Sequence, residues 1–356
     1  MKFWQDKRVF VTGHTGFKGS WLCLWLEAHG AKVTGYALPP PTQPNHFDLA
    51  DAGRAIKTVI GDVRDYERLR AAIADAEPEL VLHLAAQSVV KASYADPRET
   101  YDVNVMGTVN VLEAVRKVGG VRSVVNVTTD KVYENREWLW GYREPDTLGG
   151  HDPYSNSKAC SELVTSSFRD SFFPEAAFAE HGVSLGSARA GNVIGGGDWT
   201  ANQLVPDVIH AFAHGEPVML RNPGATRPWQ FVLEPLKGYL MLAERLYTDG
   251  PALAGGFNFG PADADAKPVR WMVENLAKLW GGGASWSQDT GKHPHEAGFL
   301  KLDSSKAHSL LGWEPRLRVD TALEWTVEWY KHRAQGGDVR AKSIEQIRAY
   351  DRLWEP

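Results

Sequence analysis

The chain has 356 residues, of which 43% are hydrophobic, and a formal net charge of −5 at pH 7. With 39 basic against 44 acidic residues it has no positive excess for a phosphate polymer, which excludes nucleic acid as an expected partner. No signal-type or membrane-length apolar stretch occurs, and the 2 cysteines lack metal-ligand spacing, so we expect a cytoplasmic protein without a metal site.

Predicted strands and helices alternate through the first half of the chain. Strand patterns fall at 8–12, 32–38, 58–60, 80–84, 121–127 and 183–188, and helical patterns at 21–26, 66–75, 98–118 and 152–172. Asp152 and Pro153 suit the N-cap and the first position of the last of these helices. Such alternation requires a parallel, doubly wound sheet, so the predicted fold class is a Rossmann-type α/β fold.

Beyond Gly195 the pattern becomes irregular and is interrupted by Gly and Pro turns. We expect a smaller, interleaved C-terminal lobe that binds substrate, with helical patterns at 206–214, 235–246 and 271–280. We therefore assign 1–190 to a dinucleotide-binding domain, to which later segments return, and 191–356 mainly to the substrate lobe.

A glycine-rich turn follows the first predicted strand and opens the first helix. Its spacing is G-x-x-G-x-x-G, which is typical of short-chain dehydrogenases and differs by one residue from G-x-G-x-x-G. Glycines let the backbone approach a pyrophosphate, and amides at a helix N-terminus donate to it. A tight loop without a ligand is the alternative. The expected dinucleotide contacts are Gly13, Thr15, Gly16, Phe17, Lys18 and Gly19.

Two further strand ends fit a dinucleotide. Asp62 and Val63 follow the third strand, where the carboxylate is placed to meet an adenine amine, although Asp62 could instead cap a helix. The segment Leu84-Ala85-Ala86 leaves room for a cofactor after the fourth strand. The second strand ends at Leu38 without the acidic residue that holds a ribose hydroxyl, so this position does not decide between NAD and NADP.

Tyr154 and Lys158 lie four residues apart on the predicted helix and so project from one face. A lysine ammonium near a phenol is expected to lower the phenol pKa from about 10 toward the range of a general base. Thr129 ends the preceding strand, where ligand sites of doubly wound sheets occur, although its hydroxyl could instead satisfy local backbone groups. The three residues predict proton removal from a secondary alcohol, with transfer of a hydride to a nicotinamide.

Asp130 and Lys131 follow Thr129 directly. A simple alcohol dehydrogenase has little use for a second acid and base at this strand end. Elimination of water beside a ketone needs such a pair, one group to take the proton next to the carbonyl and one to protonate the departing hydroxyl. The alternative is that both residues are surface charges.

These motifs resemble those of the nucleotide-sugar 4,6-dehydratases, from about Trp4 to Val327. The segments that carry the resemblance are 12–19, 83–87, 128–133, 154–158, 189–195, 227–230 and 310–315. The resemblance implies NAD as the cofactor, and it adds Thr128, Tyr154 and Lys158 to the residues that bind it.

Within that family, Lys131, the loop 39–45 and the segment 227–235 look like the branch that acts on CDP-glucose, because the dTDP-glucose branch typically carries Thr-Asp-Glu where this chain has Thr-Asp-Lys. The resemblance implies oxidation at C4 of the sugar, loss of water across C5 and C6, and return of the hydride to C6. The resemblance implies that Tyr154 is the base at C4, that Lys158 is its electrostatic partner and binds the nicotinamide ribose, and that Thr129 positions the substrate hydroxyl. It also implies that Asp130 is the acid that protonates the departing C6 hydroxyl and that Lys131 takes part in the reaction at C5.

The resemblance also implies the residues that contact the nucleotide sugar. They are Gln87, Ser88, Asn192, Arg221, Arg227 and Asn258. Arg227 is the strongest of them, since a guanidinium matches a pair of pyrophosphate oxygens, although it could form a structural salt bridge instead. By analogy, the helices at 98–118 and 152–172 form the interface of a homodimer, or of the dimers within a dimer of dimers.

Other functions stay open at this stage. A dTDP-glucose dehydratase or a sugar-nucleotide 4-epimerase would share Tyr154, Lys158 and the glycine turn, but Asp130 and Lys131 disfavour plain epimerisation. A non-catalytic NAD-binding regulator would keep the glycine turn and could lose the Tyr-Lys pair, which this chain retains.

Overall fold

The computed structural model describes residues 2–289, 291 and 299–355. The strands are β1 (Arg8–Thr12), β2 (Lys32–Ala37), β3 (Lys57–Ile60), β4 (Leu80–His83), β5 (Ser123–Val127), β6 (Ser184–Ala190), β7 (Asn192–Ile194), β8 (Val218–Leu220), β9 (Thr226–Phe231), β10 (Gly255–Phe259), β11 (Ala266–Pro268) and β12 (Trp286–Gln288). The α-helices are α1 (Phe17–Ala28), α2 (His46–Leu49), α3 (Tyr66–Ala76), α4 (Val90–Ala95), α5 (Pro97–Tyr101), α6 (Gly107–Val118), α7 (Pro153–Phe172), α8 (Phe178–His181), α9 (Leu204–Ala213), α10 (Leu233–Thr248), α11 (Val269–Trp280), α12 (Ser305–Leu311), α13 (Val319–Ala334) and α14 (Val339–Arg352). A π-helical turn spans Asp102–Met106, and 3₁₀ turns span Lys2–Trp4, Asp130–Val132, Glu175–Ala177, Gly250–Leu253 and Asp263–Asp265.

A parallel sheet of seven strands forms the centre of the structure, in the order β3-β2-β1-β4-β5-β6-β10. The strand order reverses between β1 and β4, which is the switch point where doubly wound sheets bind ligands. β4, β5 and β6 are buried along their whole length, since helices cover both faces of the sheet. The predicted Rossmann-type α/β fold is therefore confirmed.

Two apolar clusters cover the two faces of this sheet. Val9 and Val11 of β1 belong to one cluster and Phe10 to the other, because alternate residues of a strand face opposite sides. Trp21 and Trp25 bring α1 into the first cluster with no exposed surface. Full burial of a large apolar side chain stabilises a fold by about 1.5–3 kcal/mol, so these two tryptophans hold α1, and with it the preceding glycine turn, firmly on the sheet.

The second half of the chain contributes both to the main sheet and to a smaller lobe. β10 returns to the main sheet, where it pairs with β6 in parallel along its whole length. The smaller lobe contains the sheet β11-β9-β7 and the pair β12-β8. The return of β10 is the kind of interleaving that the sequence indicates, while the division of the chain at residue 190 stays a prediction.

The helix predicted at 98–118 is confirmed, but its middle is a π-helical turn rather than regular α-helix. The π turn separates α5 from α6, which begins at Gly107. In the π turn, Asn104 Nδ2 donates to Ser157 Oγ at 2.9 Å. A Cβ on Gly107 would lie 2.8 Å from a methyl group of Val63. These tertiary contacts, which periodicity does not reveal, accompany the change of helical register.

Among the described residues, no helix is long and apolar enough to cross a membrane. In the same part of the chain, no group of three or more His, Cys, Asp or Glu side chains could hold a metal ion. Cys23 and Cys160 are free thiols.

Candidate active site

The glycine turn lies between β1 and α1, at the switch point of the sheet. Gly13 has a φ of +75°, and a Cβ on it would lie 2.7 Å from the Ala85 backbone nitrogen. A Cβ on Gly19 would overlap the Gly13 carbonyl oxygen. Both positions therefore require glycine. α1 begins at Phe17 after Gly16, which has no side chain to cap it, so the first amides of the helix are available to a pyrophosphate and the turn fits a dinucleotide.

The neighbouring strand ends close around this turn. Thr15 Oγ1 donates to the Leu38 carbonyl at 2.8 Å, which ties the turn to the end of β2. The amides of Leu84 and Ala85 both donate to Thr12 Oγ1 at 3.1 Å, which ties it to the end of β4. The structure thus brings most of the predicted dinucleotide contacts together at one edge of the sheet.

Asp62 lies at the same edge, after β3, with Val63 buried beside it. Its Oδ2 accepts from Arg64 Nη2 at 2.6 Å. This partner lowers the pKa of Asp62, so its carboxylate is ionised and can accept from an adenine amine. Asp65, not Asp62, caps α3 by accepting from the Arg68 amide, so the helix-cap alternative is wrong. Sequence analysis missed Arg64, which is recognisable only once its pairing with Asp62 is seen.

Tyr154 lies in the first turn of α7, which Asp152 caps. It is 8% exposed, and its phenol interacts with the Thr129 hydroxyl. Burial raises the pKa of Tyr154 above its ordinary value, the interaction with Thr129 opposes this, and the charges of Asp130 and Asp152 raise the pKa further. Tyr154 therefore rests as a neutral phenol in this structure.

Lys158 lies one turn further along α7 and does not act on the phenol as the sequence predicted. Its Nζ donates to the Val127 backbone carbonyl at 3.0 Å. The pKa of Lys158 is lowered to about 8, mainly by burial and also by the Lys18 charge, while Glu162 opposes both. The expected lowering of the Tyr154 pKa by this lysine is absent here, because loss of solvent dominates the pKa of both groups.

Thr128, directly after β5, is buried, and its hydroxyl bonds to a buried ion pair. Its Oγ1 donates to Glu162 Oε1 at 2.5 Å, and Arg189 Nε donates to the same oxygen at 2.9 Å. The Arg189–Glu162 ion pair is almost fully buried and joins β6 to α7. Removal of one partner of such a pair leaves an uncompensated charge in the core, so the pair fixes the position of α7 against the end of β5.

Asp130 begins the 3₁₀ turn after β5 and is fully buried. Its Oδ1 accepts from Thr129 Oγ1 at 3.0 Å and lies 3.9 Å from Lys131 Nζ. Within the described residues its Oδ2 has no hydrogen-bond partner, and this oxygen faces Gly191. Asp130 has no exposed surface, so the surface-charge alternative is wrong for it, and a buried carboxylate oxygen without a protein partner is costly. The Lys131 side chain is 34% exposed and reachable from solvent.

Lys18 extends from the glycine turn toward Asp130 and Lys131, an approach that sequence analysis did not predict. Its Nζ lies 3.4 Å from the Tyr239 hydroxyl. Burial lowers the pKa of Lys18 to about 8, while Asp130 raises it and Lys131 lowers it. Tyr239, fully buried on α10, is a further missed residue. Its local pattern does not distinguish it from an ordinary core tyrosine.

Gln87 and Asn258 have side-chain amides that protein groups already satisfy. Gln87 Nε2 donates to Thr100 Oγ1 at 2.9 Å, and its Oε1 accepts from the Val89 amide at 2.6 Å. Asn258 has no exposed surface; its Oδ1 accepts from the Tyr133 hydroxyl at 2.7 Å, and its Nδ2 donates to two backbone carbonyls. We therefore correct their assignment as substrate ligands: both organise the loops around them.

The other predicted substrate residues lie on the smaller lobe or beside it. Ser88 is exposed in the loop after β4, and Arg221 is exposed after β8. Asn192 begins β7, and its buried Oδ1 has no hydrogen-bond partner in the described part of the chain. The β7–β9 ladder sets Asn192 opposite Trp229, two residues beyond Arg227. Asn192 and Arg227 thus lie on neighbouring strands of one small sheet.

The doubly wound sheet, the glycine turn at its switch point and the Thr-Tyr-Lys group at the end of β5 define a dinucleotide-dependent enzyme of the extended short-chain dehydrogenase type. Known proteins narrow this class. Residues 10–326 match the family model described as GDP-mannose 4,6 dehydratase. The chain belongs to this family of nucleotide-sugar 4,6-dehydratases.

Known relatives differ in their sequence identity to this chain. A CDP-glucose 4,6-dehydratase from Salmonella typhimurium (strain LT2) is 54% identical over 348 residues, which cover 98% of this chain and 97% of that protein. A dTDP-glucose 4,6-dehydratase from Streptomyces griseus is 29% identical, with 92% of this chain and 95% of that protein covered. The solved structure of the Thermus thermophilus UDP-glucose 4-epimerase in complex with NAD matches with a TM-score of 0.77 at 25% identity, over 91% of this chain and 99% of that one.

Proposed function

We propose that the chain is an NAD-dependent CDP-glucose 4,6-dehydratase, a lyase that converts CDP-glucose to CDP-4-keto-6-deoxyglucose. The observation that carries this proposal is the buried Asp130 carboxylate, whose Oδ2 is unpartnered among the described residues and which lies beside Tyr154 and Lys131. The choice of CDP-glucose rests on the relative from Salmonella typhimurium, which is 54% identical over nearly the whole of both chains.

The additional acid distinguishes this reaction from 4-epimerisation. An epimerase oxidises and reduces C4 and breaks no bond between carbon and oxygen, so it needs no group to protonate a departing hydroxyl. A dehydratase needs that group in addition to the tyrosine. The position of Asp130 therefore favours dehydration, although the same fold occurs in UDP-glucose 4-epimerases.

Oxidation at C4 requires a base at the C4 hydroxyl. Tyr154, a neutral phenol at rest, takes this proton at Oη while its own proton passes through Thr129 Oγ1 to Asp130, so Thr129 both orients the hydroxyl and relays the proton. Lys158, fixed by the Val127 carbonyl, holds the nicotinamide ribose. NAD, when bound, supplies the redox chemistry by taking a hydride from C4 and returning it to C6.

Elimination requires an acid at the C6 hydroxyl and a base at C5. Asp130 Oδ2 gives a proton to the C6 hydroxyl, which leaves as water, while Thr129 and Lys131 hold Oδ1. Lys131 Nζ takes the C5 proton and later returns it to C5. Thr129 contacts both Tyr154 and Asp130, so the proton released at the C4 hydroxyl reaches Asp130 before the C6 hydroxyl leaves, and it departs with that hydroxyl as the one water lost per cycle.

The remaining predicted contacts keep their proposed roles. Arg227 and Asn192, on adjacent strands of the smaller lobe, bind the substrate pyrophosphate, because a guanidinium and an amide both donate to phosphate oxygens. Ser88 and Arg221 contact the sugar and the nucleotide from the rim of the site. A cytoplasmic location remains a prediction that rests on the sequence.

We further propose a homodimer through α6 and α7. Met106 in the π turn and Leu163 and Phe172 on α7 are exposed apolar side chains on these elements. Burial of such a patch is a common basis of dimerisation. Light scattering of the Leu163→Glu variant tests this: we expect a monomer, and an unchanged mass would remove α7 from the interface.

The substrate assignment is tested by product mass. Purified protein is incubated separately with CDP-, dTDP-, UDP- and GDP-glucose, with and without added NAD. Loss of one water from CDP-glucose, in preference to the other three, is the expected result. An isomer of unchanged mass would indicate an epimerase, water loss mainly from dTDP-glucose would change the nucleotide, and no reaction with any sugar would favour a binding protein.

A further inference from the structure

A row of buried hydrogen bonds joins the glycine turn to the helix that carries Tyr154. It runs from Thr12 at the end of β1 through His83 at the end of β4 to Thr108 on α6 and Ser161 on α7. These four linked side chains are 0–2% exposed. No step of the proposed reaction uses His83. These hydrogen bonds nevertheless link it to the glycine turn and to α7, which carry residues that the reaction does use.

The direction of each bond on the side of the glycine turn follows from its neighbours. Thr12 Oγ1 accepts from the amides of Leu84 and Ala85, so its own proton goes to His83 Nδ1, 2.7 Å away. The His83 ring is neutral, because burial, together with the Lys158 charge, lowers its pKa to about 3. Its single proton is therefore on Nε2, which lies 3.3 Å from Oγ1 of the next threonine in the row.

The bonds on the side of α7 have one direction as well. Thr108 Oγ1 donates to the Asn104 carbonyl at 2.7 Å, so it can only accept from His83 Nε2 and from Ser161 Oγ, which is 2.8 Å away. Ser161 Oγ in turn accepts from Asn126 Nδ2 at 2.9 Å. If the proton were on Nδ1 instead, it would face the proton that Thr12 Oγ1 donates. Nε2 would then have no proton to donate to Thr108 Oγ1.

We propose that His83 is a positioning residue for the proposed reaction, because its two ring nitrogens join the dinucleotide-binding turn to the catalytic helix. Nδ1 holds Thr12 and the glycine turn that follows it. The Nε2 proton holds Thr108 and Ser161, and Ser161 lies one turn after Lys158 on α7. The catalytic part of this inference rests on the proposed function, whereas its binding and tautomer parts do not.

Two substitutions separate the two ring nitrogens. An asparagine amide reaches the position of Nδ1, and a glutamine amide reaches that of Nε2. His83→Gln keeps the donor to Thr108 and loses the contact with Thr12, so we expect the NAD dissociation constant to rise about tenfold with kcat changed less than about threefold. His83→Asn keeps the acceptor for Thr12 and loses Thr108, so we expect kcat at saturating NAD to fall about tenfold with NAD affinity nearly unchanged.

A matched pair of threonine variants separates positioning from stability. Thr108→Val removes the hydroxyl that links His83 to α7 while retaining the side-chain shape. Thr326→Val is its control, because Thr326 is also fully buried and also donates at 2.7 Å to the carbonyl four residues earlier, but on α13. Both variants lose the bond to that carbonyl, and only Thr108→Val, which also removes the acceptor of His83 Nε2 and Ser161 Oγ, should lower kcat.

Binding and the tautomer are measured without any sugar nucleotide. Calorimetric titration with NAD gives the dissociation constants, and nitrogen NMR of the wild-type protein, with the His83 signals identified by their absence in His83→Gln, should show a bare Nδ1 and a protonated Nε2. A proton on Nδ1 would overturn the proposal. So would parallel losses of NAD affinity and kcat in both His83 variants, or a Thr108→Val enzyme with unchanged kcat. If no sugar nucleotide reacts, the reaction assignment fails while the NAD and NMR results still test His83.

Discussion

The Oδ2 atom of Asp130 faces Gly191 so closely that a Cβ on Gly191 would lie 2.7 Å from it. The same Cβ would lie 3.1 Å from Pro228 Cγ, so the strand on the other side leaves no room either. Space, rather than an unusual backbone angle, therefore requires glycine here. The acid of the proposed elimination has its position because the residue before β7 has no side chain.

Gly191→Ala should displace the Asp130 carboxylate and impair elimination. A shift of about 1 Å in a catalytic group can cost about a hundredfold in rate, so we expect kcat for water loss to fall by that order while NAD affinity is retained. Gly224→Ala is the control, since a Cβ on Gly224 meets no atom within 4 Å. Equal kcat values for the two variants would show that Asp130 does not need this position.

Lys131→Met should separate oxidation from elimination. Lys131 contacts Asp130 but not the glycine turn, so NAD binding should be unchanged while loss of water slows by about 10²–10⁴-fold, the usual contribution of a general acid or base. Single-turnover measurements with CDP-glucose report cofactor reduction by absorbance and water loss by mass. Lys278→Met, on the exposed surface of α11, is the control. Unchanged water loss in Lys131→Met would remove this lysine from the mechanism.

The alkaline limb of the pH–activity profile, where activity falls at high pH, should depend on Lys158 and Lys18. The pKa of Lys158 is lowered to about 8, so its ammonium loses its proton above that pH and kcat/KM should fall there. The Lys18 charge contributes to this lowering, so Lys18→Met should raise the Lys158 pKa toward its ordinary value and move the limb to higher pH. Lys237→Met, a buried lysine on α10 that packs against Trp354, should leave the limb in place. A limb that does not move in Lys18→Met would contradict this assignment.

Stability should depend on pH through Glu234. Its Oε1 accepts from the amides of Arg316 and Leu317, its Oε2 accepts from the Tyr350 hydroxyl, and burial raises its pKa from 4.5 to about 7. Between these pH values the folded protein keeps a proton that the unfolded chain has released. The free energy of unfolding should therefore decrease as the pH rises from about 4.5 to about 7.

Glu234→Gln should flatten that dependence, because its amide carries no charge at any pH. By denaturant unfolding we expect the variant to gain about 2 kcal/mol over the wild-type protein at pH 8 relative to pH 5, an order-of-magnitude figure from the size of the pKa change. Glu324→Gln, on the exposed side of α13, should show no such difference. Parallel pH profiles for wild type and Glu234→Gln would show that Glu234 has an ordinary pKa in the folded state.

Local patterns predicted the fold and the relative placement of the proposed catalytic residues, because each depends on neighbours in sequence. Alternation of strand and helix defines the doubly wound sheet, and the spacing of Tyr154 and Lys158 sets them on one face of α7. The position of Thr129 directly after β5 follows from the end of that strand. These relations do not depend on contacts between distant segments of the chain.

Long-range contacts account for what sequence analysis missed. Asn258 looked like a ligand, but Tyr133, more than a hundred residues earlier, satisfies its Oδ1. The neutral resting state of Tyr154 depends on burial, which only the folded chain determines. Lys18 was assigned to the cofactor from its place in the glycine turn, whereas its side chain extends to Tyr239 of α10. Each of these outcomes requires the tertiary structure.

The path of a single hydrogen atom tests the central claim most directly. The purified enzyme is given CDP-glucose that carries deuterium at C4, and the product is examined by mass spectrometry and proton NMR. A dehydratase of the proposed kind gives a product that has lost one water and carries the deuterium at C6. A product of unchanged mass with the deuterium still at C4, or a dehydrated product without deuterium at C6, would contradict the account.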